Sequence, residues 1–93
     1  MNEFSVFLDE RLVAQITAAS DHQGLVRRAN REQTILCNSP CADVLCFDAK
    51  SLVKIAELAQ KAQTVDRLIF LLGVEGFHVK AGKVQPQAYH RRF

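Results

Sequence analysis

The sequence predicts an α+β fold, an open-faced two-layer sandwich with the element order β-α-β-β-α-β, and three observations carry that prediction. Leu52, Ile55, Ala56, Leu58 and Ala59 recur at the three- and four-residue spacing of one helical face, with Lys50, Lys54, Glu57 and Lys61 turned away. Leu68-Ile69-Phe70-Leu71-Leu72 is an unalternating apolar run, short enough for a strand covered on both faces. Phe4, Val6 and Leu8 alternate with their neighbours, which is the period of a strand with one buried face.

In chain order, the alternating strand over residues 4–8 is followed by Asp9, a favoured helix N-cap. Leu12, Val13, Ile16 and Ala19 then mark a helical stripe to about residue 20, with Glu10 where the helix dipole favours an anion. Phe4, Phe7, Leu8, Leu12 and Ile16 also fit one helix running from residue 3 to residue 20, so two readings of this end stay open. Residues 20–32 are polar and read as a connection with a short helical turn around Leu25 to Ala29. Thr34-Ile35-Leu36-Cys37 and Val44-Leu45-Cys46-Phe47 are strand candidates separated by the turn signal Asn38-Ser39-Pro40. Asp48 opens the second helix, the run Leu68 to Leu72 is the fourth strand, and Phe77, Val79 and Val84 allow a short terminal hairpin. Right-handed crossovers place both helices on one side of the sheet.

A chain of 93 residues makes a single domain, residues 1–93, with 86–93 read as a weakly ordered tail. Hydrophobic residues are 48% and charged residues 24% of the whole, the balance of a folded globular protein and not of a disordered one. The N-terminus lacks the basic leader and apolar core of a signal peptide, and no window reaches the length of a membrane span. The expectation is a cytoplasmic protein with no membrane partner, in which Cys37, Cys41 and Cys46 are reduced thiols.

Their spacing of four and five residues lacks the close pairs of structural zinc sites, even with His22 and His78 as further ligands, so no metal and no cofactor are expected. The histidines His22, His78 and His90 are scattered and no base is paired with an acid. No glycine-rich phosphate loop is present. No catalytic residue is assigned.

A net charge of +2 does not by itself call for a polyanion. The positive charge is uneven, however, with Arg27, Arg28 and Arg31 together and Arg91-Arg92 near the end. These five arginines carry the alternative reading, a small nucleic-acid-binding protein.

Ala49-Lys50-Ser51-Leu52-Val53-Lys54-Ile55 resembles the start of the second helix of HPr, the histidine-containing phosphocarrier family of the bacterial sugar phosphotransferase system, where the segment reads Ala-Lys-Ser-Leu, an aromatic, Lys and an aliphatic residue. Val74-Glu75-Gly76 is similar to the family's Ala-Glu-Gly. The resemblance implies an HPr-like sandwich over residues 3–76 and a role in that system. It departs at the phosphoryl-accepting histidine, where this chain has Leu8-Asp9-Glu10-Arg11-Leu12. What it implies is therefore a non-catalytic, regulatory protein that binds a protein partner, with the exposed helix start at Lys50, Ser51 and Lys54 near the contact. Ser51 matches a serine that is phosphorylated in some branches of the family. A phosphate in a first helical turn is stabilised by free amides and the dipole.

Overall fold

A two-residue turn at Asp9 and Glu10 sets the architecture at its beginning. Both residues have left-handed φ, 51° and 66°, which is the backbone twist that joins two strands without splaying them. The turn links strand β1 (Glu3–Leu8) to strand β2 (Arg11–Thr17), with Leu8 directly opposite Arg11. Residues 11–17 are thus not the helix that the Leu12, Val13 and Ile16 stripe suggested, and Asp9 is not its cap. The physical reason lies in the neighbours of β2. It pairs with β1 on one side and with a later strand on the other, so Leu12 through Ile16 are all buried and no alternation shows.

A computed structural model of the chain describes residues 2–18, 22–32 and 34–84. After the hairpin come helix α1 (His22–Glu32), strands β3 (Ile35–Asn38) and β4 (Asp43–Cys46), helices α2 (Ala49–Lys61) and α3 (Val65–Val74), and strand β5 (His78–Ala81). The strands form one antiparallel sheet in the order β3-β4-β2-β1-β5. The α+β class and the open sheet agree with the sequence. The β-α-β-β-α-β order does not, because the first helix is a strand and the fourth strand is a helix.

That second exchange concerns Leu68 to Leu72. Thr64 caps α3 by accepting a hydrogen bond from the Arg67 amide at 3.1 Å, and Asp66 stands in the first turn. Leu68 and Leu72, four residues apart, go into the core while Phe70 faces out. A five-residue apolar run does not distinguish strand from helix by periodicity alone, and the cap upstream decides it here. Within the polar connection, residues 22–32 become a full helix, α1, whose partly or fully buried residues include Leu25, Arg28 and Ala29. Residues 77–84 do not form a separate hairpin, since β5 pairs with β1. The tail expected over 86–93 lies outside the described residues.

The sheet buries both faces. On one, Phe4 and Val6 of β1, Ala14 and Ile16 of β2, Val44 and Cys46 of β4 and Val79 of β5 meet Ile55, Leu58 and Ala59 of α2 and Leu68 and Leu72 of α3. A β-bulge opposite Val6 and Phe7 inserts Val13 as an extra residue, which joins Ala14 in this core. On the other face, the register aligns Lys80, Ser5, Gln15, Leu45 and Leu36 in one row across all five strands. Helix α1 lies over the β3–β4 half of that face, with Arg28 reaching Gln15 of β2. The helices therefore occupy both sides of the sheet, not one.

Candidate functional site

Three regions carry the residues singled out by sequence, and the structure does not bring them together. The first is the start of α2. Asp48 is its N-cap residue, but its carboxylate caps no amide. It accepts instead from the Ser51 hydroxyl at 2.8 Å and pairs with Arg11 at 3.4 Å, tying the hairpin turn to the helix start. Ser51 is only 4% exposed, which corrects the expectation of an open first-turn serine. A phosphate on this oxygen would be set against the Asp48 carboxylate, a like-charge contact that opposes the benefit of the helix dipole. Lys50 is exposed. Lys54 spans the two helices of the layer, 3.9 Å from Glu57 and 3.7 Å from Glu75.

The second region is α1. Arg27 and Arg31 are exposed and four residues apart, hence on one side of the helix. Arg28 is turned to the sheet, where its guanidinium donates to the Gln15 side-chain carbonyl at 2.6 Å. The basic cluster is therefore divided, with one of its three members holding the fold together. Arg91 and Arg92 lie outside the described residues, as do His90 and the side chain of His22.

The Gln15 neighbourhood is built from buried polar groups. The Gln15 amide nitrogen donates to the Val84 carbonyl. Ser5, fully buried, donates to the Gly82 carbonyl at 2.8 Å and accepts from the Val84 amide at 3.1 Å. Together these bonds lay residues 82–84 across the β1–β2 half of the face that α1 leaves uncovered. Gly82 has a φ of 103°, the left-handed turn that lets the chain leave β5 and fold back.

The third region is the outer surface of the helical layer, which sequence reasoning missed. Val53 of α2 is 74% exposed, and Phe70 and Val74 of α3 are 57% and 65% exposed. Phe70 and Val74 are four residues apart on one side of α3, and the Arg67 guanidinium stands 5.2 Å from the centre of the Phe70 ring. A signal was present at Val53, an apolar residue in the outward-facing arc that holds Lys50, Lys54 and Glu57. For Phe70 and Val74 the signal was hidden, because reading residues 68–72 as a strand put Phe70 inside.

The cysteines fall on the apolar face of the sheet. Cys37 and Cys46 are on paired strands with sulfurs 3.9 Å apart, and Cys41 lies 3.2 Å from the Ser39 oxygen. Burial, and then the neighbouring Cys37 and Asp48, push the Cys46 thiol far above its ordinary value. Among the described residues no three histidine, cysteine, aspartate or glutamate side chains converge to hold a metal ion. Nor is any helix there long and apolar enough to cross a membrane. No protein-family model, no curated protein and no solved structure matches the chain.

Proposed function

We propose that this protein is a non-catalytic domain that acts by binding a protein partner through the outer surface of α2 and α3. The observation that carries the reading is the exposure of Val53, Phe70 and Val74 in a layer whose other large outward side chains are charged or polar, among them Lys50, Lys54, Glu57, Lys61, Asp66 and Arg67. Aromatic and aliphatic side chains ringed by charge are the usual make-up of a contact patch.

The resemblance to HPr at Ala49 to Ile55 supports the same region, since that segment opens α2 and places Lys50 and Lys54 at the rim. It supplies no phosphocarrier chemistry, because the histidine motif is lacking and the elements before α2 are ordered differently. Incubation with the general phosphotransferase enzyme and phosphoenolpyruvate is expected to leave every histidine unlabelled. Stoichiometric phosphohistidine would overturn the non-catalytic assignment.

The direct test is capture from an extract of the source cells with immobilised wild-type chain and with a Val53→Ser, Phe70→Ser, Val74→Ser variant. The expected result is one stoichiometric protein retained by the wild type and lost from the triple variant, with both chains equally stable to denaturant. Equal capture by both would remove the helical layer as the contact surface.

The alternative, a nucleic-acid binder, is favoured by the placement of Arg27 and Arg31 on one exposed side of α1. It predicts an affinity for DNA or RNA that falls steeply with salt and drops again in an Arg27→Ala, Arg31→Ala variant. Binding that is flat between low and physiological salt would exclude it.

A further inference from the structure

Cys37 and Cys46 are unlike the other polarisable groups of the core because they touch each other. Their strands are hydrogen-bonded neighbours, and the register sets Cys37 against Val44 and Cys46 against Ile35, so the two cysteines are diagonal on one face. Their sulfurs are already 3.9 Å apart without being bonded. A disulfide requires about 2.05 Å between sulfurs, and because diagonal neighbours on paired strands stand about 7–8 Å apart, closure draws β3 closer to β4 as well as rotating the two side chains. Access is unequal. Cys37 is half-buried on β3, the last strand at its edge of the sheet, whereas Cys46 is buried on β4.

We propose that Cys37 and Cys46 form a redox dithiol, a modification site that exchanges with small-molecule disulfides and closes reversibly into a bond between β3 and β4. This goes beyond the partner-binding reading and does not depend on it. In the first step the Cys37 thiolate attacks one sulfur of a disulfide RSSR. The Cys37–S–SR bond forms, the RS–SR bond breaks, and the departing thiolate takes a proton to become RSH. In the second, Cys46 loses its proton and its sulfur attacks the Cys37 sulfur. The Cys37–Cys46 bond forms, the second R group leaves as RSH, and the two protein thiols are oxidised as RSSR is reduced to two RSH. The buried, charge-disfavoured Cys46 thiol makes the second step the slow one and makes it faster as pH rises.

Edge position gives the bond a consequence. β3 has a sheet partner on one side only, so the bond would attach the edge of the sheet covalently to β4. Cys41 lies beside Ser39 in the connection between these strands and is not in the pair.

The test uses the full chain with glutathione disulfide as the probe. A Cys41→Ala chain leaves only the pair and is checked for folding by thermal melting. Incubation over a range of glutathione disulfide to glutathione ratios, followed by acid quench and alkylation, is read by intact mass. The expected end product has lost two hydrogens, carries no glutathione, cannot be alkylated and returns to two free thiols with dithiothreitol. Persistence of two alkylatable thiols at the highest ratio, or stable glutathione adducts as the end product, would overturn the proposal. In the wild-type chain, peptide mapping is expected to place the bond between Cys37 and Cys46, and a bond through Cys41 would overturn it as well. A Cys41→Ala, Cys46→Ser chain is expected to stop at one glutathione on Cys37. Absence of that adduct, with closure intact in the Cys41→Ala chain, would overturn the stated order of attack.

Discussion

The two faces of the one sheet are closed by different physics. Under α2 and α3 the contact is apolar, with Val6, Ile16, Val44, Ile55, Leu68 and Leu72 all essentially without solvent. Under α1 and the 82–84 segment, the sheet offers Ser5 and Gln15, both buried beside the apolar Phe7 and Leu45, and each bonds a particular atom of a distant segment. Hydrophobic burial is non-directional and rewards any tight arrangement. A buried hydrogen bond is worth only about 1 kcal/mol net when made, but leaving its partner unsatisfied costs about 1–3 kcal/mol. The apolar face thus supplies most of the driving force, and the polar face specifies where the chain lies.

Truncation on the apolar face is the first way to break this contrast. Leu68→Ala and Ile55→Ala are each expected to lower unfolding free energy by about 2–5 kcal/mol in denaturant titrations, the lost transfer energy adding to that of a cavity. A loss under about 1 kcal/mol at both sites would mean that this face is not the main core. On the polar face, Gln15→Ala removes a bond to the Arg28 guanidinium and leaves the Val84 carbonyl without its donor, and is expected to cost about 1–3 kcal/mol. A double-mutant cycle with Arg28→Ala should return a coupling of at least about 0.5 kcal/mol. Additive effects would show that the bond positions nothing.

The pH dependence sharpens the apolar side. The Cys46 thiol is held protonated in the folded chain, while in the unfolded chain it ionises near its ordinary 9.0. Above that pH the unfolded state releases a proton that the folded state keeps, so the stabilisation is complete below 9.0 and is lost as pH rises further. The limiting slope for one group is about 1.4 kcal/mol per pH unit. Denaturant midpoints measured from pH 8 to pH 10.5 should therefore fall more steeply for the wild type than for Cys46→Ala. Parallel profiles would place the thiol in a more polar setting than the one described.

Two smaller effects lie at the margins of the faces. Glu10→Gly relieves a side chain from left-handed backbone and is expected to raise stability by about 1 kcal/mol, read as a higher Tm. A lower Tm would deny the turn geometry on which the hairpin register rests. Phe70→Ser, outside both cores, is expected to change stability by no more than about 0.5 kcal/mol. A larger loss would mean that Phe70 holds the layer together and is not spare surface for a partner.

Part of the layout was legible in advance, and the failures arose where the local signal was lost. Helix α2 and strands β3 and β4 were readable because each has an intact local signal, a 3.6-residue stripe after Asp48 or a β-branched and apolar run bounded by Asn38-Ser39-Pro40. Strand β2 was not, because a central strand buried on both faces loses the alternation that identifies strands. Helix α3 was misread for the converse reason, since its apolar run is too short to show a helical period unless Thr64 is recognised as its cap. Of the candidate site, Lys50 and Lys54 stand at the surface as expected, whereas Ser51 is buried by a carboxylate three residues away that sequence spacing alone does not orient.

The sequence by itself marked most of the apolar core, and hence an α+β chain with a sheet and an amphipathic helix at residues 49–61. Only the tertiary structure decided that residues 11–17 are a strand, that helices cover both faces, and that Ser5, Gln15 and Arg28 join three distant segments. Hydrophobic pattern is a local record of burial. The choice of burial partner depends on long-range pairing, which a turn of two residues at Asp9 and Glu10 is enough to redirect.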